Sequence, residues 1–357
     1  MIQPMETWHS AARRPEVSII IPARNEEASL AACLESLLPQ VGVAFEIIVV
    51  DDHSTDRTRD IVASFAPVRA VTAPALPDGW TGKNNALVAG VNHARGAWLL
   101  FTDADTVHRP GSLARSLEEV RREGAALLSY SPEQEVHGFW EKALMPVIFA
   151  ELARTYPPTE VSHTQSQAAA ANGQYILIAR EAYTQAGGHA AVATDLLEDV
   201  ALARAVKQAG YTICFRYGSD AVRTRMYRSF AQLREGWTKN LAMLFARPLR
   251  LAALRMLEFA LICTLSALAL SASVRGNLYG SLAAVILSCL LYALFLRRIR
   301  SAHFACSSNL LAVFGLPIFS YLLWRSRVLY QKGNIAWKGR VYGTPSQAPV
   351  GTWPAIG

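Results

Sequence analysis

Two pairs of closely spaced aspartates stand directly after short apolar runs in the first third of the chain. Asp51 and Asp52 follow one run, and Asp103 and Asp105 follow another. Two carboxylates separated by one residue, as in Asp103-Ala104-Asp105, can chelate Mg²⁺ or Mn²⁺. These ions take oxygen ligands and usually complete their shells with substrate phosphates. A cation held in this way neutralises a diphosphate and helps it to leave. These residue types therefore indicate chemistry on a phosphate-bearing substrate.

A third polar segment, residues 22–26, also follows an apolar run, and segments with helical spacing separate the runs. The predicted strands are residues 17–21, 45–50, 68–71, 97–101 and 125–130, and the predicted helices are residues 28–38, 56–65, 83–94 and 113–122. This alternation of continuous apolar strands and helices predicts an α/β fold with a mostly parallel sheet and helices on both faces.

The carboxyl ends of parallel strands meet at one edge of a sheet, and ligands bind beyond that edge. We therefore expect residues 22–26 and both aspartate pairs to face one crevice. The alternative is that these residues are helix caps and turn residues. That alternative explains one of the three sites more easily than all three, because clustered carboxylates repel one another unless a cation or hydrogen-bond donors offset them.

The sequence lacks the glycine-rich motifs of the common nucleotide-binding loops. No GxGxxG follows the first predicted strand and no GxxxxGK[ST] occurs, which disfavours a Rossmann dinucleotide site and a P-loop. The five cysteines are scattered, with no CxxC pair. A disulfide scaffold and a structural zinc site are therefore both disfavoured.

The charge distribution divides the 357-residue chain into two parts. Nine of the 35 basic residues and none of the 28 acidic residues follow Glu258, so residues 1–258 carry 26 basic and 28 acidic residues. The net charge of +7 therefore comes from the apolar C-terminal part. Basic residues that flank apolar runs are typical of membrane anchors, whereas nucleic-acid-binding proteins place them on a soluble face. We expect a membrane partner and no nucleic acid.

Three uncharged runs lie in the C-terminal part, at residues 259–274, 277–296 and 304–324. A helix needs about 20 apolar residues to cross a bilayer, so we expect membrane helices here; a buried helical core is the alternative. Arginines before the first run and after the second predict a hairpin with both ends in the cytoplasm. The third run either spans the bilayer or bends at Pro317 as a re-entrant or interfacial segment.

Seven segments, in this order, resemble the family 2 glycosyltransferases, which have the GT-A fold. The segments are VSIIIPARNEE (17–27), EIIVVDDHSTDRT (46–58), GKNNALVAG (82–90), ARGAWLLFTDADT (94–106), NGQYILIAREAYTQAGGH (172–189), LLEDVALARAVKQAGY (196–211) and REGWTKN (234–240). Together they cover nearly all of residues 17–240. With the tail WKGRVY (337–342), they look most like membrane-bound members associated with hopanoid biosynthesis, and the carotenoid-modifying glycosyltransferases are similar.

The resemblance implies a site for a nucleotide-sugar donor. The residues that it places around the base and ribose are Pro22, Arg24, Glu26, Asp51 and Asp52. Lys83 would lie near the diphosphate, which suits a cation beside the amides of a helix start. Asp103 and Asp105 would hold the divalent metal and the sugar nucleotide.

The resemblance also implies a catalytic base. Asp199 matches the family's general base, which takes the proton from an acceptor hydroxyl as that oxygen attacks the anomeric carbon. Single displacement inverts the configuration. His53 departs from the pattern, because a glycine is frequent there. Arg234 and Trp237 stand nearest to the Gln-x-x-Arg-Trp motif of processive synthases, but with other spacing. This favours transfer of one sugar, with Arg234 and Trp237 supporting the leaving diphosphate or covering the acceptor.

Resemblance and apolar runs together predict a membrane-anchored, inverting, metal-dependent hexosyltransferase that moves one sugar to a lipid hydroxyl. The predicted organisation is an N-terminal extension (1–16), a GT-A domain (17–245), membrane-anchoring helices (246–330) and a basic tail (331–357). We expect a multi-pass protein of the inner cell membrane whose catalytic domain lies in the cytoplasm. The alternatives are a polyprenyl-phosphate glycosyltransferase, a non-catalytic membrane scaffold and a nucleotidyltransferase.

Overall fold

The computed structural model describes residues 14–333, 335–337 and 340–342. Most of the predicted N-terminal extension and basic tail lies outside these residues. The chain divides into two compact units. The first unit comprises the described part of Met1–Glu135 together with Pro158–Met226, and the second comprises Val136–Pro157 together with the described part of Tyr227–Gly357.

Strands and helices alternate in the first unit, and long helices dominate the second. The strands are β1 (Val17–Ala23), β2 (Phe45–Asp51), β3 (Arg69–Thr72), β4 (Trp98–Phe101), β5 (Thr106–His108), β6 (Leu127–Ser131), β7 (Glu133–Gln134), β8 (Ile176–Ala179), β9 (Ile213–Tyr217), β10 (Val222–Thr224), β11 (Ile335–Trp337) and β12 (Arg340–Tyr342). The helices are α1 (Leu30–Leu37), α2 (Thr58–Ser64), α3 (Gly82–His93), α4 (Ser112–Arg122), α5 (Phe139–Thr155), α6 (Pro158–Ser162), α7 (Arg180–Gln185), α8 (Gly188–Ala191), α9 (Glu198–Gln208), α10 (Phe230–Leu244), α11 (Pro248–Val274), α12 (Leu278–Ile299), α13 (Cys306–Leu311) and α14 (Gly315–Gln331). The second unit holds α5, α10 to α14, β11 and β12.

A seven-stranded sheet in the order β3-β2-β1-β4-β8-β6-β9 forms the centre of the first unit. β1 is parallel to both of its neighbours, and Val17 lies opposite Phe45 on β2 and Trp98 on β4. β2 and β3 are also parallel, as are β6 and β9, whereas β8 is antiparallel to both β4 and β6. The predicted α/β fold with a mostly parallel sheet is confirmed.

The spacing of the buried apolar residues explains why the positions of these strands and helices could be predicted from the sequence. Val17 to Ile21 are fully buried in β1, as expected for a strand that helices cover on both faces. α1 buries Leu30, Leu34 and Leu37 along one face, at helical spacing. The boundaries of the nine predicted elements differ from those of β1 to β4, β6 and α1 to α4 by two residues or fewer, whereas β5 was not predicted.

Three short strands form a separate sheet in the order β5-β10-β7. β10 is antiparallel to β5, with Thr224 opposite Thr106, and parallel to β7. The Thr224 hydroxyl donates a hydrogen bond to the Asp105 carbonyl at 3.1 Å. This sheet therefore fixes the chain that follows the β4 strand end.

Three segments of the second unit are long and apolar enough to cross a membrane, by length and composition: Pro248–Val274, Leu278–Ala302 and Cys306–Gln331. The third is interrupted by a 3₁₀ turn at Ala312–Phe314, between α13 and α14. Half of its most apolar stretch is buried within the protein, against 11% and 6% for the first two segments. The third segment is therefore partly a core helix of the second unit.

Close backbone packing and hydroxyl contacts hold α14 among its neighbours. A Cβ at Gly315 would lie 2.0 Å from the Ala143 carbonyl oxygen, so glycine is required where α14 meets α5. The Ser320 hydroxyl donates to the Ala252 carbonyl of α11 at 2.9 Å. The Ser326 hydroxyl accepts from the Ala242 amide of α10 at 2.9 Å.

Five charged side chains from α5, α11 and α12 form what we call the second-unit ion cluster. Its members are Glu151, Arg154, Arg255, Glu258 and Arg298. The buried Glu151 carboxylate lies 3.0 Å from Arg255 Nε and 2.9 Å from Arg154 Nη2. Glu258 Oε2 lies 2.8 Å from both Arg255 Nη1 and Arg298 Nη2. Arg255 and Glu258, which interrupt an apolar sequence, are thus paired within the helices.

Candidate active site

The sheet order brings three polar segments to one edge. β1 lies between β2 and β4, and their carboxyl ends are adjacent: Ala23 is paired with Asp51, and Ile20 with Phe101. The chain after each strand therefore leaves the sheet at the same edge. The shared edge agrees with the strand pattern, and that all three segments face one crevice stays a prediction.

Buried hydroxyl groups fix the loop that carries Asp103 and Asp105. The Thr106 hydroxyl donates to the Asp103 carbonyl at 2.6 Å. The Thr102 hydroxyl donates to the Gln174 carbonyl at 2.8 Å. Together with the hydrogen bond from Thr224 to the Asp105 carbonyl, these bonds fix the loop backbone from which the Asp103 and Asp105 side chains extend.

Lys83 stands in the first turn of α3, where the Thr81 side chain accepts a hydrogen bond from the Asn84 amide and caps the helix. Its ammonium lies 2.8 Å from Asp103 Oδ1 and 2.7 Å from Glu198 Oε1. Burial disfavours the ammonium, but the two carboxylates outweigh burial and raise the pKa of Lys83 well above its usual value. Lys83 is therefore a fixed positive charge in the crevice.

Asp199 lies in the first turn of α9, beside Glu198. The Gly173 amide donates to Asp199 Oδ2 at 2.9 Å, and the Val200 amide donates to Oδ1 at 2.8 Å. Burial, followed by the neighbouring Glu198 charge, raises the pKa of Asp199 to about 6. A carboxylate with this proton affinity can accept a proton near neutral pH, as a general base must.

A small cavity adjoins these groups in the first unit. Its lining residues are Pro22, Lys83, Leu87, Phe101, Thr102, Asp103, Gly173, Ile176, His189, Glu198 and Asp199. Burial lowers the pKa of His189 to about 3. The His189 ring makes a 3.1 Å hydrogen bond with the Tyr183 hydroxyl, which also accepts from the His189 amide. His189 is thus a neutral, hydrogen-bonded part of the wall.

The residues assigned to the base and ribose occupy the ends of β1 and β2. Arg24 Nη1 donates to the Asp52 carbonyl at 2.7 Å. Asp51 Oδ2 lies 2.5 Å from Arg59 Nε. Burial alone would raise the pKa of Asp51, but hydrogen bonds from Ser54 and Arg59 hold it below its usual value. Glu26 accepts a hydrogen bond from the Ser29 hydroxyl at 2.7 Å.

A set of cross-bonds joins the loop after β1 to the loop after β2, and we call it the loop clamp. The Asn25 amide donates to the Ser54 hydroxyl at 3.0 Å, and the Thr55 amide donates to Asn25 Oδ1 at 2.8 Å. Asn25 and His53 have φ of 54° and 56°, in the left-handed region that favours glycine. The positive φ of His53 explains why glycine is frequent at this position in the family.

The donor chemistry of Asp103 and Asp105 fits a divalent cation. Both side chains are half-buried at the strand end, and the Lys83 contact shows that the Asp103 carboxylate accommodates a positive charge. In the described part of the chain, no group of three or more His, Cys, Asp or Glu side chains is placed to hold a metal ion. Two carboxylates could supply part of the oxygen shell of Mg²⁺ or Mn²⁺, ions that usually also bind substrate phosphates.

Arg234 and Trp237 belong to α10 in the second unit. Arg234 is exposed. Trp237 is buried, its indole N–H donates to Met145 Sδ at 3.4 Å, and its ring lies edge-on to Phe149. Their assigned roles toward the diphosphate and the acceptor stay predictions.

Two members of the site were not singled out from the sequence. Glu198 was visible only as the neighbour of the expected base. Gly173 lay inside a longer matching segment, with nothing to show that its amide would meet a carboxylate 26 residues later. The signal that could have found Glu198 is its acidic side chain at a helix start, directly before the expected catalytic base.

Comparison with known proteins identifies the family. The model of glycosyl transferase family 2 matches residues 18–185. A 4,4'-diaponeurosporenoate glycosyltransferase of Staphylococcus aureus (strain MRSA252) is 30% identical over 339 residues, which cover 91% of this chain and 88% of the relative. The enzyme of the same name from strain USA300 is 29% identical over the same shares. The chain therefore belongs to glycosyl transferase family 2.

A solved structure supports the fold assignment. The mannosyltransferase PcManGT from Pyrobaculum calidifontis, in complex with GDP-Man and Mn²⁺, has a TM-score of 0.51 and 17% identity. The match covers 89% of this chain and 87% of that chain. The GT-A fold inferred from the sequence segments is thus confirmed, and with the family it makes the chain a glycosyltransferase.

Proposed function

We propose that this glycosyltransferase is membrane-anchored and inverts configuration while it moves one sugar from a nucleotide-sugar to a lipid acceptor. The observation that carries the proposal is the placing of Asp199. Its carboxylate has two backbone amide donors, a pKa near 6, and a position beside the cavity that Lys83 and Asp103 line. A base and a phosphate-binding edge in one crevice suit glycosyl transfer from a diphosphate.

In the proposed reaction, Asp199 takes the proton of the acceptor hydroxyl while that oxygen attacks the anomeric carbon. The new bond joins the acceptor oxygen to the anomeric carbon, and the bond from that carbon to the diphosphate oxygen breaks. The electron pair leaves with the diphosphate, which the Lys83 ammonium stabilises. Attack and departure on opposite faces invert the configuration.

Asp103 and Asp105 would hold Mg²⁺ or Mn²⁺ together with the donor's phosphates. When bound, such an ion supplies positive charge that offsets the diphosphate. The remaining proposed donor contacts come from the ends of β1 and β2. They are Pro22, Arg24, Glu26, Asp51 and Asp52.

Membrane anchoring rests on the apolar helices. α11 and α12 expose most of their apolar surface and contact each other through a 2.9 Å hydrogen bond between Ser266 and Ser288. At 1.5 Å per residue, α14 is about 25 Å long, slightly short of a bilayer core of about 30 Å. We therefore propose a spanning hairpin of α11 and α12, an embedded third segment, and a cytoplasmic catalytic domain at the inner membrane.

The acceptor has two candidate chemistries. A reaction that uses Asp199 as a general base would have a lipid hydroxyl as its acceptor. The similar Staphylococcus aureus enzymes are named for 4,4'-diaponeurosporenoate, the anion of a carboxylic acid. An anionic acceptor, whether a carboxylate or a polyprenyl phosphate, is already deprotonated and needs no strong base.

The test measures sugar transfer by the purified full-length protein in lipid nanodiscs. UDP- and GDP-sugars are screened with Mg²⁺ or Mn²⁺ against an apolar alcohol, a long-chain polyene carboxylate and a polyprenyl phosphate. With a hydroxyl acceptor, D199N should lower kcat by about 10²–10⁴-fold, the usual value of general base catalysis. Nucleoside diphosphate binding should change little, because Asp199 acts on the acceptor.

The controls separate the alternatives. E118Q, an exposed change on α4, should transfer at the wild-type rate. If D199N keeps most of its activity with an anionic acceptor, that acceptor, and not a lipid hydroxyl, is the better description of the substrate. Absence of any nucleoside diphosphate binding by the wild type, by calorimetry with Mn²⁺, would leave a non-catalytic scaffold as the better description.

A further inference from the structure

The first turn of α9 carries two adjacent carboxylates with different partners. Asp199 is bound by the backbone amides of Gly173 and Val200. Glu198, which is 7% exposed, is paired with the Lys83 ammonium at 2.7 Å. Adjacent residues of one helix turn therefore face the same cavity, one toward amides and the other toward a cation.

Lys83 is held between two elements of the fold. Its ammonium bridges Asp103, at the end of β4, and Glu198, at the start of α9. A lysine side chain is long and flexible, and two anchors restrict it far more than one. Asp103 is also the carboxylate that we propose to serve the donor and its cation. Glu198 is the anchor of Lys83 that this task does not engage.

We propose that Glu198 is a positioning residue, which holds the Lys83 ammonium where the donor diphosphate arrives. The inference rests on the proposed function, because it presumes that Lys83 meets a diphosphate. Glu198 touches neither donor nor acceptor in this proposal and acts through Lys83.

Gly173 supplies the space for this arrangement. A Cβ at that position would lie 2.9 Å from Lys83 Nζ, 3.3 Å from Glu198 Oε1 and 3.6 Å from Asp199 Oδ2. The nearest atom is the end of a flexible side chain, so G173A should fold while it displaces the ammonium. This variant disturbs the Lys83–Glu198 pair without removing a charge.

The experiment is a double-mutant cycle on donor binding. Affinity for UDP and GDP with Mn²⁺ is measured by calorimetry for the wild type, E198Q, K83M and the double variant, all full-length in nanodiscs. E198Q should weaken binding by about 10-fold, in the range of one charge-assisted hydrogen bond. In the K83M background, E198Q should change nucleotide binding by less than about twofold, because the ammonium through which Glu198 acts is absent.

Kinetics and conservative variants complete the test. E198Q and G173A should raise the donor KM more than they lower kcat, and E198D should fall between wild type and E198Q because it keeps the charge with a shorter reach. E118Q is the exposed control, and thermal unfolding verifies folding. Wild-type-like donor binding by E198Q and G173A would overturn the proposal, and so would equal losses in both backgrounds. A wild type that binds neither nucleotide would refute the proposed function instead.

Discussion

Each unit of the protein contains a compact group of charged side chains, and the two groups differ in balance. In the first unit, Lys83 joins Asp103 and Glu198 beside Asp199, so these four side chains carry a formal charge of −2. In the second-unit ion cluster, two glutamates pair with three arginines, for a formal charge of +1. Every carboxylate of that cluster contacts at least two guanidinium groups.

The difference separates a binding site from a structural joint. Glutamates that are each shared among arginines have no need of an outside cation, so the second-unit cluster suits the joining of α5, α11 and α12. The first-unit group places carboxylates side by side, which costs folding free energy unless a ligand supplies positive charge. Substitutions in the first group should therefore lower activity, and those in the second should lower stability.

The largest expected effect is on activity in the first unit. D103N combined with D105N should lower transfer at least about 10³-fold, because the proposed cation and diphosphate lose their ligands. The melting temperature should change little, because Lys83 loses Asp103 but keeps Glu198 as a partner, and the repulsion among the carboxylates is reduced. Initial rates and thermal unfolding in nanodiscs check both results. Full activity of the double variant in the presence of a chelator would refute the role of the metal ion. A large drop in its melting temperature would contradict the view that the first-unit group serves activity and not stability.

The second expected effect is on stability in the second unit. E151Q removes the buried carboxylate that pairs with Arg255, whose side chain is 12% exposed. Because Arg255 keeps Glu258 as a partner, the loss of unfolding free energy should be smaller than the about 3–5 kcal/mol of a fully unpaired buried charge, at about 1–3 kcal/mol. Transfer per folded molecule should be nearly unchanged. E235Q on α10 is the matched control, because Glu235 is exposed. Equal unfolding midpoints for E151Q and E235Q would show that the second-unit cluster is not a structural joint.

The third expected effect is a pH dependence that belongs to Asp199. Its pKa is raised from 3.8 to about 6 in the folded protein, so transfer to a hydroxyl should fall below pH 6, by about tenfold per unit. The folded state then binds this proton more tightly than the unfolded state. Asp199 therefore stabilises the fold at low pH, and that contribution is lost as the pH rises through about 6.

Measurements across pH 4–8 test both parts of this prediction. The logarithm of kcat/KM should rise and level off near pH 6, and D199N should gain stability relative to wild type as the pH rises. A flat activity profile across this range would contradict the assignment of the base.

The smallest expected effect concerns backbone conformation in the first unit. H53G should stabilise the protein by about 0.5–1 kcal/mol, because φ of 56° costs a side-chain-bearing residue more than glycine. H53A is the matched control, since it removes the imidazole but keeps the left-handed strain. Denaturant unfolding should place H53G above H53A, and the reverse order would show that the histidine side chain itself stabilises the loop.

What the sequence predicted well depends on local pattern. The run from Val17 to Ile21 and the α1 face of Leu30, Leu34 and Leu37 follow the periods of a buried strand and a helix. The parallel orientation of β1 to β4 then follows from strand–helix alternation. Because parallel strands share an edge, the approximate meeting of the loops after β1, β2 and β4 was predictable as well.

What the sequence did not predict depends on contacts between distant residues. Glu151 meets Arg255 more than one hundred residues later, while the sequence showed Arg255 only as one of the arginines before the first apolar run. The pairing of Lys83 with Glu198 has the same origin. The break at Ala312–Phe314 lies in an uncharged run with no proline at the break itself, so composition gave no reason to divide the third segment there.

The loop clamp has a consequence for how related proteins can diverge. Asn25, Ser54 and Thr55 tie the turns after β1 and β2 to each other, and Glu27 and Arg57 add a further bond. Inserting or deleting a residue in one turn would break the register of bonds in the other. Because we propose that these turns contact the nucleotide base, selection for a different base should exchange side chains at fixed backbone length, with compensating changes in both turns together.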